Sequence, residues 1–115
     1  DEPRAFLAPF DAAMAGRAGA VLEAMQAEVA AELDDPEAII RWSADLRYTG
    51  QAFELPIDLP RDVPLADALD DVRRAFDAEH EKAYGHAMPG KGLQVVNLRV
   101  LGSVAPPTPG AQKLC

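Results

Sequence analysis

Apolar residues recur every three or four positions along the first part of the chain. Between residues 6 and 33 they are Phe6, Phe10, Met14, Val21, Leu22, Met25, Val29 and Leu33, with alanine at many of the positions between. This spacing predicts one long amphipathic helix over residues 6–33. Asp34-Asp35-Pro36 ends it, because proline cannot continue the helical hydrogen-bond ladder and restricts the residue before it.

The pattern changes to a two-residue alternation over residues 40–48. Ile40, Trp42, Ala44, Leu46 and Tyr48 face one way, and Arg41, Ser43, Asp45, Arg47 and Thr49 face the other. Such alternation predicts a half-buried strand. Residues 53–57 alternate again after Gly50, which predicts either a β-hairpin with a second strand or a strand bent at Gly50. Pro56 has no N–H to donate, so we expect this strand at an edge of the sheet.

Helical spacing returns over residues 65–84 and is followed by a third apolar strand. Pro64 near the first turn and Gly85 after the last residue are typical helix start and stop signals. Residues 93–101 are rich in valine and leucine and predict a largely buried strand. We expect the proline-rich residues 105–115 to be extended or disordered, which leaves residues 1–104 as the folded domain.

The predicted element order is α-β-β-α-β. It indicates a two-layer α+β domain in which two helices cover one face of a small, mainly antiparallel sheet. The other face then presents Arg41, Asp45 and Arg47. That polar face is either solvated or docks a partner.

Composition narrows the functional classes. The chain has 115 residues, 49% hydrophobic and 26% charged, as expected of one globular domain. Its net charge of −8 disfavours binding to nucleic acids and to anionic membranes, and no apolar run approaches the roughly 20 residues of a membrane helix. The single cysteine, Cys115, excludes an intrachain disulfide and fits a cytoplasmic protein.

Two segments come close to known catalytic motifs. Residues 85–92, GHAMPGKG, nearly match a phosphate-binding loop, but Gly92 replaces its Ser or Thr, and the segment follows a helix and precedes a strand. His80-Glu81 begins like a helical zinc motif, but Tyr84 stands where the second histidine belongs. The alternatives for His80 are a looser metal site with His86 or a hydrogen-bonded pair of histidines at the helix end. We expect no metal site and identify no catalytic residue.

Three blocks of the sequence resemble the hydantoinase A/5-oxoprolinase family. Residues 45–55, DLRYTGQAFEL, are similar to the family pattern D-L-R-Y-x-G-Q-x-x-E-L. Residues 76–86, FDAEHEKAYGH, are similar to F-x-x-x-H-E-x-x-Y-G-[YH], and residues 95–100, VVNLRV, to V-N-L-R-V. The order and spacing of the blocks also match. The chain therefore resembles an isolated C-terminal portion of the large subunit of an N-methylhydantoinase-type enzyme.

The resemblance implies a role within a larger enzyme. Family members are much longer chains that couple ATP hydrolysis to the opening of a cyclic amide, such as hydantoin or 5-oxoproline, and related members carboxylate ketones. The resemblance implies an accessory domain that supplies scaffold, subunit interface or a wall of the substrate cleft, and that is inactive when isolated. The alternative is an assembly module of a related ATP-dependent ketone carboxylase that makes no substrate contact.

The resemblance also implies cofactors and partners. ATP and a divalent metal belong to the full-length enzyme, and this portion is expected to hold no cofactor. The implied partners are the rest of the large subunit and a companion hydantoinase B-type subunit.

Five residues of the first two blocks are candidates for substrate or interface contacts: Arg47, Gln51, His80, Glu81 and Tyr84. Arg47 and Gln51 either dock a partner or are ordinary surface residues. His80 with Glu81 is a titratable pair beside a helix end, suited to binding a carboxylate or ordering a subunit contact. Tyr84 more simply closes the helix and packs on the sheet, with Gly85 as the left-handed cap.

Overall fold

The computed structural model describes residues 3–104. Its elements are β1 (Arg4–Pro9), α1 (Ala12–Leu33), β2 (Ile39–Tyr48), β3 (Leu55–Leu59), a single 3₁₀ turn (Leu65–Asp67), α2 (Leu69–Tyr84) and β4 (Leu93–Ser103). Residues 105–115, for which the sequence predicts an extended or disordered tail, lie outside the described residues.

The four strands form one antiparallel sheet in the order β1-β4-β2-β3. β2 and β4 are the central pair, with Trp42 opposite Val100 and Ala44 opposite Leu98. β3 lies at one edge, which confirms the position expected from Pro56. Proline is tolerated there because an edge strand leaves half of its N–H groups unpaired.

Both helices cover the same face of this sheet. The Trp42 Nε1–H donates to Gln26 Oε1 of α1 at 2.8 Å, and the Tyr48 ring packs edge-on against Phe76 of α2 with centroids 4.9 Å apart. Trp42 and Tyr48 are separated by an even number of positions on β2, so their side chains lie on one face. The predicted two-layer α+β fold is confirmed.

The amino-terminal end differs from the prediction, which extended one helix over residues 6–33. The structure has a strand, β1, before α1 begins. Asp11 sets this boundary, because its backbone is extended and its Oδ1 accepts the Met14 N–H at 2.8 Å, the usual arrangement at a helix N-cap. The preceding segment instead pairs with β4. The observed order is therefore β-α-β-β-α-β.

The predicted carboxy-terminal ends of both helices are confirmed, whereas α2 begins at Leu69, after the 3₁₀ turn, and not at residue 65. After α1 the backbone turns at Asp34, whose φ is 49° and whose N–H donates to Ala30 O. After α2 it turns at Gly85, whose φ is 82° and whose N–H donates to Glu81 O at 2.8 Å. A positive φ carries little steric penalty in glycine, so Gly85 ends α2 without strain.

We predict opposite effects of alanine at two glycines. At Gly102 a Cβ would lie 2.6 Å from Leu33 Cδ1 and 2.7 Å from Val29 Cγ1, because α1 crosses β4 closely there. Gly102→Ala should lower the free energy of unfolding by about 1–3 kcal/mol through overpacking. Gly16 lies in α1, and apart from its chain neighbours and the backbone of the helix itself no atom lies within 4 Å of the position that a Cβ would take there. Gly16→Ala should raise the free energy of unfolding by about 0.5–1 kcal/mol.

Urea unfolding with a constant m-value measures both changes. Equal effects of the two substitutions would contradict the close contact between α1 and β4.

Candidate functional site

A buried hydroxyl joins the last residue of β2 to two other segments. Tyr48 is fully buried, and its Oη donates to Asp77 Oδ1 of α2 at 2.5 Å. The same oxygen accepts the Met88 N–H at 2.8 Å, from the connection between α2 and β4. One side chain thus fixes the position of a strand, a helix and a loop.

Arg73 closes this network from α2. Its Nη2 donates to Met88 O at 3.0 Å, and its Nε lies 3.6 Å from Asp77 Oδ2. Its guanidinium carbon also lies 5.8 Å from the centre of the Tyr48 ring, within cation–π range. Both backbone polar groups of Met88 are therefore bonded to side chains.

The surroundings of Tyr48 change its acidity. Burial, and next the hydrogen bond to Asp77, raise the pKa of the Tyr48 phenol above its ordinary value of 10.0. Both causes disfavour a phenolate, because it would be desolvated and would face a carboxylate.

His80 lies beside this network and is only 1% exposed. Its Nε2 lies 2.8 Å from Gln51 Nε2, and its Nδ1 lies 2.6 Å from His86 O. Gln51 Oε1 accepts the Tyr48 N–H at 2.9 Å, so the Gln51 amide nitrogen is the donor to His80. The ring proton of His80 is therefore on Nδ1, where it donates to His86 O.

Tyr84 packs on the His80 ring, and Phe53 packs in turn on Tyr84. The ring centre of Tyr84 lies 4.8 Å from that of His80 and 4.7 Å from that of Phe53. Phe53 is 45% exposed and Tyr84 is 42% exposed. We call Phe53 and Tyr84 the aromatic patch.

The structure brings together three of the five candidates from the sequence. Gln51, His80 and Tyr84 are grouped around the His80 ring. The side chain of Glu81 is exposed on α2, and no hydrogen bond within residues 3–104 joins it to His80. Arg47 lies on the uncovered face of the sheet, where its Nε donates to Gln94 Oε1 at 3.0 Å.

The uncovered face is polar, as predicted, but its centre is not solvated. Asp45, on this face, is only 2% exposed. Its carboxylate accepts two-point hydrogen bonds from Arg99, at 3.0–3.2 Å, and one from Asn97 Nδ2 at 3.0 Å. The hydrogen bonds to Asp45 raise the pKa of the Arg99 guanidinium above its ordinary value.

A second, exposed ion pair lies on the same face, where Arg41 Nη2 contacts both Asp58 carboxylate oxygens at 2.9 Å. A cavity of about 820 Å³ opens beside these groups, and Arg41, Asp45 and Arg99 contribute to its wall. We call the surface formed by Arg41, Asp45, Arg47, Asp58 and Arg99 the polar sheet face.

The two near-matches to catalytic motifs lie at the end of α2 and in its connection to β4. The near-match to a phosphate-binding loop connects a helix to a strand, and its Lys91 N–H bonds to Met88 O within the loop. No three side chains among His, Cys, Asp and Glu converge on one point within residues 3–104. In that part of the chain, neither helix has the length and apolar character needed to cross a membrane.

The sequence patterns did not reveal the hydrogen-bonded polar groups around Tyr48 and around Asp45. Asp77, Arg73 and Asp45 occupy positions that helical and strand periodicity assign to polar surfaces. The signal that could have found Tyr48 is its place at the end of a buried stripe, since a buried phenol requires a partner.

The comparisons with known proteins concern the fold. No protein-family model and no curated protein matches the chain. A nucleotide-free acetone carboxylase, an enzyme of ATP-dependent acetone carboxylation, matches with a TM-score of 0.77 and 20% identity over 94% of this chain and 17% of that one. An ATP-dependent caprolactamase from Pseudomonas jessenii matches with a TM-score of 0.69 and 18% identity over 86% of this chain and 16% of that one.

The chain is thus an α+β domain whose fold occurs within much longer ATP-dependent enzymes. It spans about a sixth of the length of each of these two enzymes.

We predict that removing the Tyr48 hydroxyl destabilises the fold. Tyr48→Phe leaves the Met88 N–H and the Asp77 carboxylate without their partner and should lower the free energy of unfolding by about 1–3 kcal/mol. Tyr84→Phe removes an exposed hydroxyl and should change it by less than about 0.5 kcal/mol. Denaturant unfolding of the two variants tests the comparison.

The effect of Tyr48→Phe on stability should depend on pH. Folding raises the Tyr48 pKa. The contribution of the Tyr48 hydroxyl to the free energy of unfolding is therefore complete below about pH 10 and is lost as the pH rises through the folded-state pKa. The difference in stability between the parent chain and Tyr48→Phe should therefore shrink above about pH 10. A pH-independent difference would contradict the burial of the phenol beside Asp77.

We predict unequal effects of neutralising the two aspartates of the polar sheet face. Asp45→Asn weakens the bonds from Arg99 and should cost about 1–2 kcal/mol, since the arginine is one-third exposed and solvent screens part of the interaction. Asp58→Asn breaks an ion pair whose side chains are 60% and 66% exposed. It should change the free energy of unfolding by less than about 0.5 kcal/mol. Thermal or urea unfolding measures both, and equal costs would contradict the burial of Asp45.

Proposed function

We propose that the chain is an accessory domain of an ATP-dependent enzyme that opens cyclic amides such as hydantoin or 5-oxoproline. The observation that carries this proposal is the fold, which recurs as about a sixth of two ATP-dependent enzymes, one of them a lactam-opening caprolactamase by name. Both belong to the hydantoinase/oxoprolinase-like group that the three sequence blocks resemble. Sequence and fold therefore support the same assignment.

The contacts between the blocks add support. Tyr48 and Gln51, from the first block, bond to Asp77 and His80 of the second. Asp45, also from the first block, bonds to Asn97 and Arg99 of the third. The blocks are thus the places where the elements are joined. A sequence that retains all three blocks also retains these hydrogen bonds between the elements of the domain.

The side-chain chemistry supports an accessory role. Both ring nitrogens of His80 are occupied by hydrogen bonds within the domain, so the ring offers no free base. Arg47 lies on the polar sheet face, and the cavity at that face is also lined by Ala75, Ala78 and Glu79 of α2. This surface suits a subunit contact or one side of a substrate cleft. ATP and the divalent metal then bind elsewhere in the full-length enzyme. The partners are the rest of the large subunit and a companion hydantoinase B-type subunit, in the cytoplasm.

A second function is an assembly module of an ATP-dependent ketone carboxylase. The match to acetone carboxylase favours it, because it has the higher TM-score and covers more of this chain than the match to caprolactamase. In that case the polar sheet face contacts only protein.

The test is ATP turnover by the enzyme that contains this chain, assembled with its companion subunit. We expect hydantoin, 5-oxoproline or a lactam to stimulate ATP hydrolysis, and removal of residues 1–104 to abolish that stimulation. Stimulation only by a ketone with bicarbonate would select the carboxylase. Lack of stimulation by either class, or an unchanged rate after the deletion, would overturn the proposal.

Point variants separate a cleft wall from an interface. Arg47→Ala removes a partly buried side chain from the polar sheet face and leaves the residues that contact His80 unchanged. A lower rate per assembled complex indicates substrate contact, whereas weaker assembly with an unchanged rate indicates an interface. Glu28→Ala is the matched control, because Glu28 lies on α1 and forms an exposed pair with Arg4.

A further inference from the structure

The hydrogen bonds around His80 suit only its neutral form. A donor meets an acceptor at each of three successive contacts: Tyr48 N–H to Gln51 Oε1 at 2.9 Å, Gln51 Nε2–H to His80 Nε2 at 2.8 Å, and His80 Nδ1–H to His86 O at 2.6 Å. The middle contact requires an unprotonated Nε2. The arrangement therefore has no place for a second ring proton.

Protonation of His80 would disrupt this series of donor–acceptor contacts. With a proton on Nε2, two donors would face each other across the 2.8 Å contact with Gln51. Rotation of the Gln51 amide would give His80 an acceptor but would turn the NH₂ group toward the Tyr48 N–H. In either orientation one part-buried donor loses its partner, which costs free energy.

The neighbours of His80 do not compensate an added charge. The groups that face its ring are Tyr48 on β2, Phe76 and Tyr84 on α2, and His86 in the following loop. The nearest buried carboxylate in the network, Asp77, is bonded to the Tyr48 hydroxyl and lies beside Arg73. None of the ion pairs within residues 3–104 involves His80.

We propose that His80 and Gln51 form a proton-sensitive latch on residues 49–54, the connection between β2 and β3. Histidine is the side chain that ordinarily changes charge between pH 5 and 8. The neutral ring holds Gln51, and the protonated ring releases it. Phe53 lies in the released connection and stacks on Tyr84, so acidification also loosens the aromatic patch. This inference does not depend on the proposed function.

The test is amide hydrogen exchange at Tyr48, followed by NMR on the chain between pH 8 and 5.5. After correction for the intrinsic pH dependence of exchange, acidification should speed exchange about tenfold, as expected for the loss of one buried hydrogen bond. In Gln51→Glu the effect of pH on the exchange rate should be opposite, because a carboxylate accepts hydrogen bonds from both the Tyr48 N–H and a protonated His80 Nε2. Acidification should then slow exchange in this variant.

His86→Gln is the matched control, because it removes the other histidine of the chain while keeping the backbone carbonyl that His80 uses. It should respond like the parent chain. Imidazole nitrogen shifts of the parent chain at pH 8 give an independent readout and should show the proton on Nδ1 of His80. A proton on Nε2, exchange at Tyr48 that does not respond to pH, or an unreversed response in Gln51→Glu would overturn the latch.

Discussion

The architecture depends on a buried phenol that bonds to two segments at once. Tyr48 ends β2 beneath α2 and has no exposed surface, and a buried polar group there must find protein partners. Asp77 and the Met88 N–H are those partners. Their bonds fix the rotation of α2 about its axis, since Asp77 must point at the sheet. They also set the path of the loop into β4, so the hydroxyl determines how the two layers meet.

The secondary structure could be predicted wherever one pattern dominated. The alternation along β2 has a single interpretation, and Pro56 and Gly85 act through backbone geometry that needs no tertiary context. The amino terminus was ambiguous, because Phe6 and Phe10 have a helical spacing and yet fit a strand followed by a turn. The pairing of β1 with β4 decided between the two, and that pairing joins residues about ninety positions apart. Periodicity carries no information about such a partner.

The candidate site was predictable only in part for the same reason. His80 stood out through its neighbours Glu81 and Tyr84, whereas its actual hydrogen-bond partner Gln51 is 29 positions away. Asp45 was placed correctly on the polar face, but its burial comes from Arg99, 54 positions along the chain. A pattern assigns each residue to a face of its own element. It does not show which polar residues of two elements will neutralise each other.

The fold recurs at 18–20% identity, so most of its residues can change. A two-layer sheet tolerates many apolar exchanges if volume and pattern are kept, but a buried carboxylate or phenol without its partner is costly. The few buried polar pairs, such as Tyr48 with Asp77 and Asp45 with Arg99, are therefore more constrained than the apolar residues around them. The exposed side chains of the polar sheet face and the aromatic patch carry no such constraint, so they are free to suit different partners or substrates. In this chain the buried polar pairs thus specify how the elements fit together, and the exposed surfaces do not.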